Sequence, residues 1–272
     1  MRRPEMAGGP RSGTGEAPVS SDQLLGAAPG PGGLAGLKVV VAGASGTSGQ
    51  AVTAALTGAG ATVLAVGSNS DRLAAAYGRN DAVASYECDL ADRSAVGGLA
   101  GSIAAQHGGA DGLVHLVGGW RGGKGLTGQS DEDWDYLHRQ LITTLRNTTR
   151  AFYSQLEASG TGRVAIVSAT ATESPTASGA NYAAAKAAAE SWMLSVADGF
   201  RRSQSGRKED PAPQRSAAVV LAVKALMDDS MRRADPAKSF PGFTDVADLG
   251  QAAAALFVLD AAQLNGAHIR LA

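Results

Sequence analysis

Residues 37–49 read LKVVVAGASGTSG, and this stretch decides the fold. After Lys38 the chain is apolar and β-branched without alternation, as expected for a parallel strand that is covered on both faces. Glycines follow at positions 43, 46 and 49, and apolar residues at helical spacing resume in residues 50–56. The stretch therefore predicts a strand, a tight turn and a helix.

The glycines of this turn predict a dinucleotide site. Gly43 allows the tight reversal, Gly46 lets backbone N–H groups approach a pyrophosphate, and Gly49 lets the helix pack close to the sheet. Ser45 and Thr47, between the glycines, belong to the same predicted cofactor contacts. A plain turn between a strand and a helix is the alternative interpretation of these glycines.

Length and composition predict one domain that binds small molecules. The chain has 272 residues, of which 44% are hydrophobic, and this content can form one sizeable core. The 24 Lys and Arg residues against 25 Asp and Glu give a net charge of −1, so we expect no nucleic-acid or membrane partner. A single cysteine, Cys88, and the lack of a long apolar run favour a cytoplasmic location.

Residues 1–36 differ in composition from the rest of the chain. They are rich in Gly, Pro and Ala and contain few large apolar side chains. Such a segment cannot bury enough apolar surface to offset the entropy lost on ordering. We therefore expect a disordered extension over residues 1–36 and a single domain over residues 37–272.

The end of the second predicted strand, residues 61–66, favours one of two cofactors. A carboxylate at this point binds the ribose hydroxyls of adenosine and repels a 2′-phosphate, and none occurs before Asp71. Ser68 and Asn69 are candidate donors to that phosphate, and Arg72 is a candidate counter-charge. NADP is therefore favoured and NAD remains possible, while Arg72 as an ordinary surface charge is the alternative.

Residues 85–90 predict a third strand that ends at the adenine. Asp89 is a candidate to bond the adenine amino group, and Leu90 lies next to it. The alternative for Asp89 is an N-terminal helix cap, which Asp92 would provide equally well.

The fourth predicted strand, residues 111–117, ends at Gly118, where a glycine leaves room for the nicotinamide ribose. His115 lies inside this apolar run, which favours a hydrogen-bonded core histidine over a catalytic one. The four histidines and one cysteine of the chain show no metal-ligand spacing, so we expect no metal.

Strands and helices alternate along the whole chain. A helical segment over residues 131–156 precedes a fifth strand at residues 162–168, and residues 216–223 and 266–271 predict two more. Strict alternation means right-handed crossovers, and hence an α/β fold of the Rossmann type, a doubly wound parallel sheet with helices on both faces.

Tyr182 and Lys186 are the candidate catalytic pair. Their spacing of four places them one turn apart on the same face of the helical run over residues 181–200. A nearby ammonium stabilises a phenolate, so we expect Lys186 to lower the pKa of Tyr182 and make it a usable proton donor.

From residue 37 to residue 272 the chain resembles the short-chain dehydrogenase/reductase family. The glycine turn at residues 43–49, Asp89, the YxxxK pattern of Tyr182 and Lys186, and the closing GAHIRL segment carry the resemblance. It implies NAD(P)-dependent reduction of a carbonyl or imine, with Tyr182 as the proton donor and Lys186 holding the nicotinamide ribose. It also implies a homotetramer or homodimer.

Two catalytic positions depart from the family pattern. The usual asparagine falls at Leu141, and the usual serine falls at Ala169. Ser168 and Thr170 flank Ala169 and are candidate substrate contacts, although neighbours on a strand point to opposite faces.

Within the family, the chain is similar to the dihydropteridine reductase group. That group shares the Gly-Gly-aromatic pattern found here at residues 118–123, and alanine in place of the catalytic serine. The similarity makes Trp120 a candidate for stacking on substrate, with a core or interface anchor as the alternative. Residues 226–243 are expected to form a substrate loop that closes over the nicotinamide.

The sequence therefore predicts a reductase that acts on a carbonyl, a quinonoid compound or a conjugated imine. The losses at Leu141 and Ala169 keep two alternatives open. One is a nucleotide-binding protein without efficient redox chemistry, and the other is an isomerase or cyclase that uses Tyr182 as an acid.

Overall fold

A parallel sheet of seven strands forms the centre of the computed structural model, which describes residues 19–207 and 209–271. The strands in chain order are β1 (Lys38–Ala42), β2 (Thr62–Gly67), β3 (Val83–Glu87), β4 (Gly112–His115), β5 (Arg163–Ala169), β6 (Gly206–Arg207), β7 (Asp210–Pro211), β8 (Ala217–Val223), β9 (Leu226–Met227), β10 (Thr244–Asp245) and β11 (His268–Arg270). The sheet has the order β11-β8-β5-β4-β1-β2-β3, and all its neighbouring strands are parallel. Two small pairs, β6 with β7 and β9 with β10, lie outside it.

Helices cover both faces of the sheet. They are α1 (Ser21–Gly26), α2 (Thr47–Gly58), α3 (Ser70–Tyr77), α4 (Arg93–His107), α5 (Asp131–Leu137), α6 (Thr144–Ala158), α7 (Ala180–Gln204), α8 (Asp229–Ala234), α9 (Val246–Ala255) and α10 (Ala261–Leu264). Successive residues of β1 contribute to two different cores, Val39 and Val41 to one and Val40 to the other. This alternation is why the strand is apolar throughout, and it confirms the predicted doubly wound sheet.

The ends of two predicted elements differ from the structure. The third strand ends at Glu87 and not at residue 90, because the Asp89 side chain accepts a hydrogen bond from the Ala91 backbone N–H and turns the chain. The helical segment over residues 131–156 is interrupted by a π-helical turn, His138–Thr143, in which the Thr144 N–H bonds the carbonyl of Arg139. Such turns are frequent at functional sites.

The prediction of disorder is wrong for residues 19–36, while residues 1–18 lie outside the described part of the chain. Helix α1 begins at a capping box in which Ser20 and Gln23 bond each other's backbone N–H groups. Leu24 and Leu34, at 0% and 1% exposure, are buried in the same core as β1. Apolar side chains buried against the rest of the domain, these leucines and Val19 among them, therefore stabilise a segment whose composition is otherwise that of a linker.

The sheet topology places a crevice at the end of β1. The chain moves outward from β1 through β2 to β3, and then returns to the other side of β1 for β4. The last residues of β1 and β4, Ala42 and His115, are paired in register. Loops that leave adjacent strands in opposite directions separate here, so ligands of such folds bind at this point.

Candidate active site

The glycine turn follows β1 and leads directly into α2. Gly43 has a φ of +83°, a conformation that other residues rarely adopt. Gly46 is the N-cap of α2 and provides no side-chain hydrogen bond to the helix. The backbone N–H groups of the first turn of α2, together with the positive end of its dipole, therefore form a site for an anion.

Gly49 is required by close packing within the turn. A Cβ at Gly49 would lie 2.5 Å from the carbonyl oxygen of Ala44, far inside contact distance. A Cβ at Gly46 would have only the carbonyl oxygen of Gly43 nearby, at 3.6 Å. The two glycines therefore serve different purposes, because Gly49 allows the turn to fold and Gly46 leaves the adjoining cleft open.

A cleft of about 600 Å³, which we call the glycine-turn cleft, adjoins this turn. It is lined by most of the residues that the sequence assigns to a cofactor, namely Gly43, Ser45, Gly46, Ser68, Arg72, Asp89, Leu90 and Gly118. Among the described residues that line it, Asp89 is the one carboxylate, and Arg72 and Arg139 are the cations. The cleft therefore joins an anion-binding turn to a polar, positively charged far end.

Two residues that the sequence assigns to the cofactor lie outside the glycine-turn cleft in the structure. Asn69 caps α3, where its Oδ1 accepts a hydrogen bond from the Arg72 N–H at 2.8 Å. Thr47 lines a separate groove on the other side of the turn, beside Asp228. Hydrogen bonds from Ser230, from the Met231 backbone and from Thr47 lower the pKa of the Asp228 carboxyl. Neither Asn69 nor Thr47 lines the glycine-turn cleft.

The structure separates the two roles that the sequence left open for Asp89. Asp92 caps α4 by accepting hydrogen bonds from Ser94 and Ala95. Asp89 instead faces the cleft, where its carboxylate pairs with the Arg139 guanidinium at 2.7 Å. Arg139 was not singled out from the sequence, because 50 residues separate it from Asp89 and only the fold brings the π-helical turn to the end of β3.

A second cleft of about 650 Å³, the tyrosine cleft, contains Tyr182 and Lys186. The two clefts share Leu116, Val117 and Gly118, the residues that follow β4. Trp120, Ser168, Ala169 and Thr170 also line the tyrosine cleft. Most of the predicted cofactor and substrate residues, with Asn69, Thr47 and Gly49 as the exceptions, therefore line two adjoining clefts at the carboxyl edge of the sheet.

Tyr182 and Lys186 have unequal surroundings. The Tyr182 hydroxyl has no hydrogen-bond partner among the described residues, and burial raises its pKa above 10.0. The expectation that Lys186 lowers the pKa of Tyr182 is therefore wrong for this structure, in which desolvation dominates. The Lys186 Nζ lies 5.8 Å from the centre of the Tyr182 ring and donates a hydrogen bond to the Val167 carbonyl. Burial lowers the pKa of Lys186 to about 8, partly opposed by the charge of Glu190.

Ser168 and Ala169 alternate along β5 as neighbours on a strand must. Ser168 is 1% exposed, and its hydroxyl donates a hydrogen bond to the Glu190 carboxylate on α7. Its hydroxyl is thus already engaged, which argues against Ser168 as a donor to substrate. Ala169 and Thr170 both line the cleft, and Thr170 begins the 3₁₀ turn that follows β5.

Leu141 makes the asparagine position apolar. It is buried in the π-helical turn and packs with Leu137, Ala185 and the partly buried Tyr182. Its Cδ2 would lie 3.2 Å from a Cβ placed on Gly118, so it also supports the chain that leaves β4. Position 141 therefore contributes no polar side chain to the surroundings of Tyr182.

His115 is a hydrogen-bonded core residue, as the sequence analysis expected. Its Nε2 and Nδ1 lie 3.1 Å and 3.2 Å from the hydroxyls of Thr144 and Thr148. Burial, together with the charge of Lys186, lowers the pKa of His115 to about 3. The ring is therefore neutral at physiological pH and supplies no proton there.

Trp120 is 66% exposed and lies at the rim of the tyrosine cleft. Its loop is attached to the segment before α7, because Gln129 donates to the carbonyls of Ala177 and Ser178. The Gly123 N–H also bonds the Ser178 carbonyl, at 2.8 Å. Trp120 is thus not a core anchor, and its ring is open to a ligand.

Two cations in the tyrosine cleft were not singled out from the sequence. Lys224 follows β8 directly and Arg270 ends β11, and both line the cleft. The predicted substrate loop begins next to them, with Leu226 in the cleft wall. Lys224 donates a hydrogen bond to the Pro241 carbonyl at 2.9 Å, which ties the two ends of this loop together.

The described part of the chain contains no cluster of three or more His, Cys, Asp or Glu residues that could hold a metal ion. Its helices also include none with the length and apolar character that a membrane span requires.

Comparison with known proteins identifies the family. The model of the family described as short chain dehydrogenase matches residues 37–204. This range contains the glycine turn, Asp89 and the Tyr182–Lys186 pair.

Solved structures with the same fold include three that are close to full length on both sides. A short-chain type dehydrogenase/reductase from Mycobacterium ulcerans has a TM-score of 0.75 and 20% identity, over 88% of this chain and 89% of its own. An NADPH-bound short-chain oxidoreductase from Pseudomonas aeruginosa is described as containing an atypical catalytic center. It has a TM-score of 0.74 and 21% identity, over 89% of this chain and 97% of its own. A short-chain dehydrogenase from Shigella flexneri complexed with NADP has a TM-score of 0.71 and 20% identity, over 88% and 98%.

Proposed function

The chain belongs to the short-chain dehydrogenase family of oxidoreductases, and we propose that it is an NADPH-dependent reductase of a small conjugated carbonyl, quinonoid or imine compound. One observation carries this proposal. The glycine turn and the Tyr182 hydroxyl lie in two clefts that share Leu116, Val117 and Gly118. A dinucleotide laid along these two clefts has its phosphates at the turn and its reactive ring near the tyrosine.

The residues present fit NADPH. The uncapped first turn of α2 suits a pyrophosphate, and Gly46 keeps the space before it free of side chains. At the far end, Ser68 and Arg72 suit a 2′-phosphate, since the end of β2 carries no carboxylate. The one acid that lines this cleft, Asp89, is paired with Arg139, and we propose that it accepts a hydrogen bond from the adenine amino group.

Tyr182 and Lys186 have complementary roles in this proposal. When bound, the cofactor supplies the hydride. Tyr182, whose raised pKa keeps it protonated at neutral pH, donates a proton to the oxygen or nitrogen of the substrate. Lys186, held by Val167, presents its remaining N–H groups to the ribose hydroxyls and places a positive charge near the tyrosine.

The absence of a polar side chain at Ala169 bears on the substrate. A hydroxyl donor at this position helps to polarise a carbonyl, and the loss of one such donor costs about 3 kcal/mol, or roughly a hundredfold in rate. Conjugated compounds tolerate this loss because the charge that develops is delocalised away from a single oxygen. A planar conjugated substrate next to Trp120 is therefore favoured over an isolated ketone.

Titration of the purified protein with NADPH and NADH, followed by nicotinamide fluorescence, tests the cofactor assignment. We expect saturable binding of both and a lower Kd for NADPH by a modest factor. Ketones, quinones and dihydropterins are then added to the NADPH complex, and oxidation is followed by absorbance. Absence of NADPH binding, or tighter binding of NADH, would contradict the assignment.

A second candidate is a nucleotide-binding protein without efficient redox chemistry. Leu141 and Ala169 favour it, because both remove polar atoms next to Tyr182 in the structure. The same titration separates the two functions. Tight NADPH binding without oxidation by any conjugated acceptor supports the second candidate.

A further inference from the structure

We propose that the substrate carries an anionic group, a carboxylate or sulfonate, which Lys224 and Arg270 bind in the tyrosine cleft. The inference rests on the proposed function, since it describes the compound that this reductase accepts. It concerns two cations of the cleft, Lys224 and Arg270, to which the proposed function gives no role.

The charge of the tyrosine cleft is strongly one-sided. Its lining contains Lys186, Lys224 and Arg270, and no Asp or Glu among the described residues. The whole chain is nearly balanced, with 24 basic against 25 acidic side chains. The positive charge is therefore local to the cleft, where low-dielectric walls strengthen its action on an anion.

The two cations outside the catalytic pair come from adjacent strands. Arg270 on β11 is in register with Ala222 on β8, and Lys224 follows two residues after Ala222. Both therefore lie at the carboxyl edge of the sheet, on the side of β5 away from the glycine turn. This placement suits the substrate and not the phosphates of the cofactor.

Lys224 keeps donors for a ligand. Its ammonium has three N–H groups, and one of them is donated to the Pro241 carbonyl. The same contact holds the Nζ in place at 5.8 Å from the centre of the Phe243 ring. Its aliphatic stem lies against Gly242, so the charged end is positioned without a carboxylate partner in the described chain.

The Arg270 guanidinium can exchange its present ion-pair partner for an anionic ligand. Its one ion pair in the described chain is with Glu173, at 3.8 Å between Nη1 and Oε2, with Arg270 62% exposed. Such an exposed and loose pair contributes little free energy. A guanidinium offers two parallel donors that match a carboxylate, so a ligand with that group displaces Glu173 at small cost.

The neighbouring hydroxyls continue the same polar wall. Ser174, Thr176 and Ser178 line the cleft and are donors without net charge. Trp120 lines the same cleft, and its exposed ring suits a planar compound. A flat conjugated compound with an acidic substituent matches both the ring and the cations.

The test compares two acceptors that share one quinone ring system but differ in charge, the 2-carboxylate of 9,10-phenanthrenequinone and its methyl ester. Because the ester is intrinsically the more electrophilic, each kcat/KM is divided by the rate at which borohydride reduces that compound. We expect the wild-type protein to show a kcat/KM about tenfold higher for the carboxylate, which corresponds to one charge-assisted contact. Arg270→Gln and Lys224→Gln should each remove most of this ratio, chiefly through the KM of the carboxylate. Glu173→Gln should raise the ratio, because it frees Arg270 from its competitor.

Lys124→Gln is the matched control, since Lys124 is an exposed cation on the Trp120 loop outside the cleft. It should leave the ratio unchanged. An equal kcat/KM for acid and ester in the wild type overturns the proposal. So does a rise in the Kd of NADPH in Arg270→Gln or Lys224→Gln as large as the rise in KM, since the cations would then serve the cofactor.

A binding measurement separates this proposal from the proposed function. Calorimetry with each quinone in the presence of NADP⁺ reports affinity without turnover. If neither compound is reduced but the carboxylate binds about tenfold more tightly than the ester, and Arg270→Gln removes this preference, the anion site stands and the reductase assignment fails. If both are reduced without a charge preference, the reductase stands and the anion site fails.

Discussion

The Lys186 Nζ donates a hydrogen bond to the carbonyl oxygen of Val167 across 2.7 Å, in the wall between β5 and α7. The contact holds the ammonium on the same strand that places Ala169 in the cleft two residues later. Because Lys186 is buried, its pKa is lowered to about 8, close enough to physiological pH to affect activity.

The first prediction concerns this titration. In the proposed function the protonated Lys186 binds the ribose, so kcat/KM for NADPH should fall above a pH of about 8, by roughly tenfold per pH unit. Lys186→Arg should move this fall in the pH profile of kcat/KM to higher pH, because a guanidinium does not lose its proton near pH 8. His115, whose pKa is lowered to about 3, should produce no limb between pH 5 and 7. A limb near pH 8 that persists in Lys186→Arg would assign the titration to another group.

The second prediction concerns the proton donor. Tyr182→Phe should lower kcat by at least about a hundredfold, because general acid catalysis contributes that much or more. The Kd for NADPH should change little, since the hydroxyl binds little of the nucleotide. Lys186→Ala should lower kcat and also raise the Kd for NADPH. Steady-state kinetics and fluorescence titration measure the two quantities, and retained turnover in Tyr182→Phe would mean that the proton comes from water or from the substrate.

The third prediction tests the glycine turn at the position where a side chain fits the fold. Gly46→Val should raise the Kd for NADPH at least about tenfold while the Tm stays near that of the wild type, because its Cβ would make only an ordinary contact with the Gly43 carbonyl oxygen, at 3.6 Å. Gly49→Val should also abolish binding, but with a lowered Tm, since its Cβ collides with the Ala44 carbonyl. Gly97→Val, on an exposed face of α4, is the control for a glycine-to-valine change. Normal NADPH binding by folded Gly46→Val would place the cofactor elsewhere.

The fourth prediction concerns Ala169. Ala169→Ser adds a hydroxyl to a residue that lines the cleft, whereas the hydroxyl of its neighbour Ser168 is already bonded to Glu190. Reduction of unconjugated ketones should rise by up to roughly a hundredfold, and reduction of quinonoid acceptors much less. Parallel kcat/KM measurements on both classes check the difference. An equal gain for both, or efficient ketone reduction by the wild type, would show that the missing hydroxyl does not select the substrate.

The fifth prediction concerns the segment before β1. Leu24→Ala should lower the free energy of unfolding by about 2–5 kcal/mol, as expected for a fully buried leucine. Leu25→Ala, at a partly buried neighbour, should cost clearly less. Denaturant unfolding of both variants gives the comparison. Equal and small effects would indicate that α1 does not pack on the domain in solution.

Much of the fold was predictable because it depends on local pattern. The apolar run at β1, the glycines after it and the helical spacing of α2 follow one another within about twenty residues, and each signal is periodic or steric. The same holds for Tyr182 and Lys186, which one helical turn brings together. The predicted site residues that line the clefts, Gly43, Gly46 and the Tyr182–Lys186 pair among them, belong to such local motifs.

Local sequence pattern predicted the doubly wound sheet, the glycine turn between β1 and α2, and the position of Tyr182 and Lys186 on one helix, because periodicity and glycine positions report backbone conformation directly. Only the tertiary structure decided that Asp89 faces Arg139, that Ser168 turns away to Glu190, and that residues 19–36 are ordered. Each of these depends on a contact between residues far apart in sequence, or on an apolar surface that exists only after folding. Lys224 and Arg270 belong to the same class, since 46 positions separate two cations that adjacent parallel strands place at one edge of the sheet.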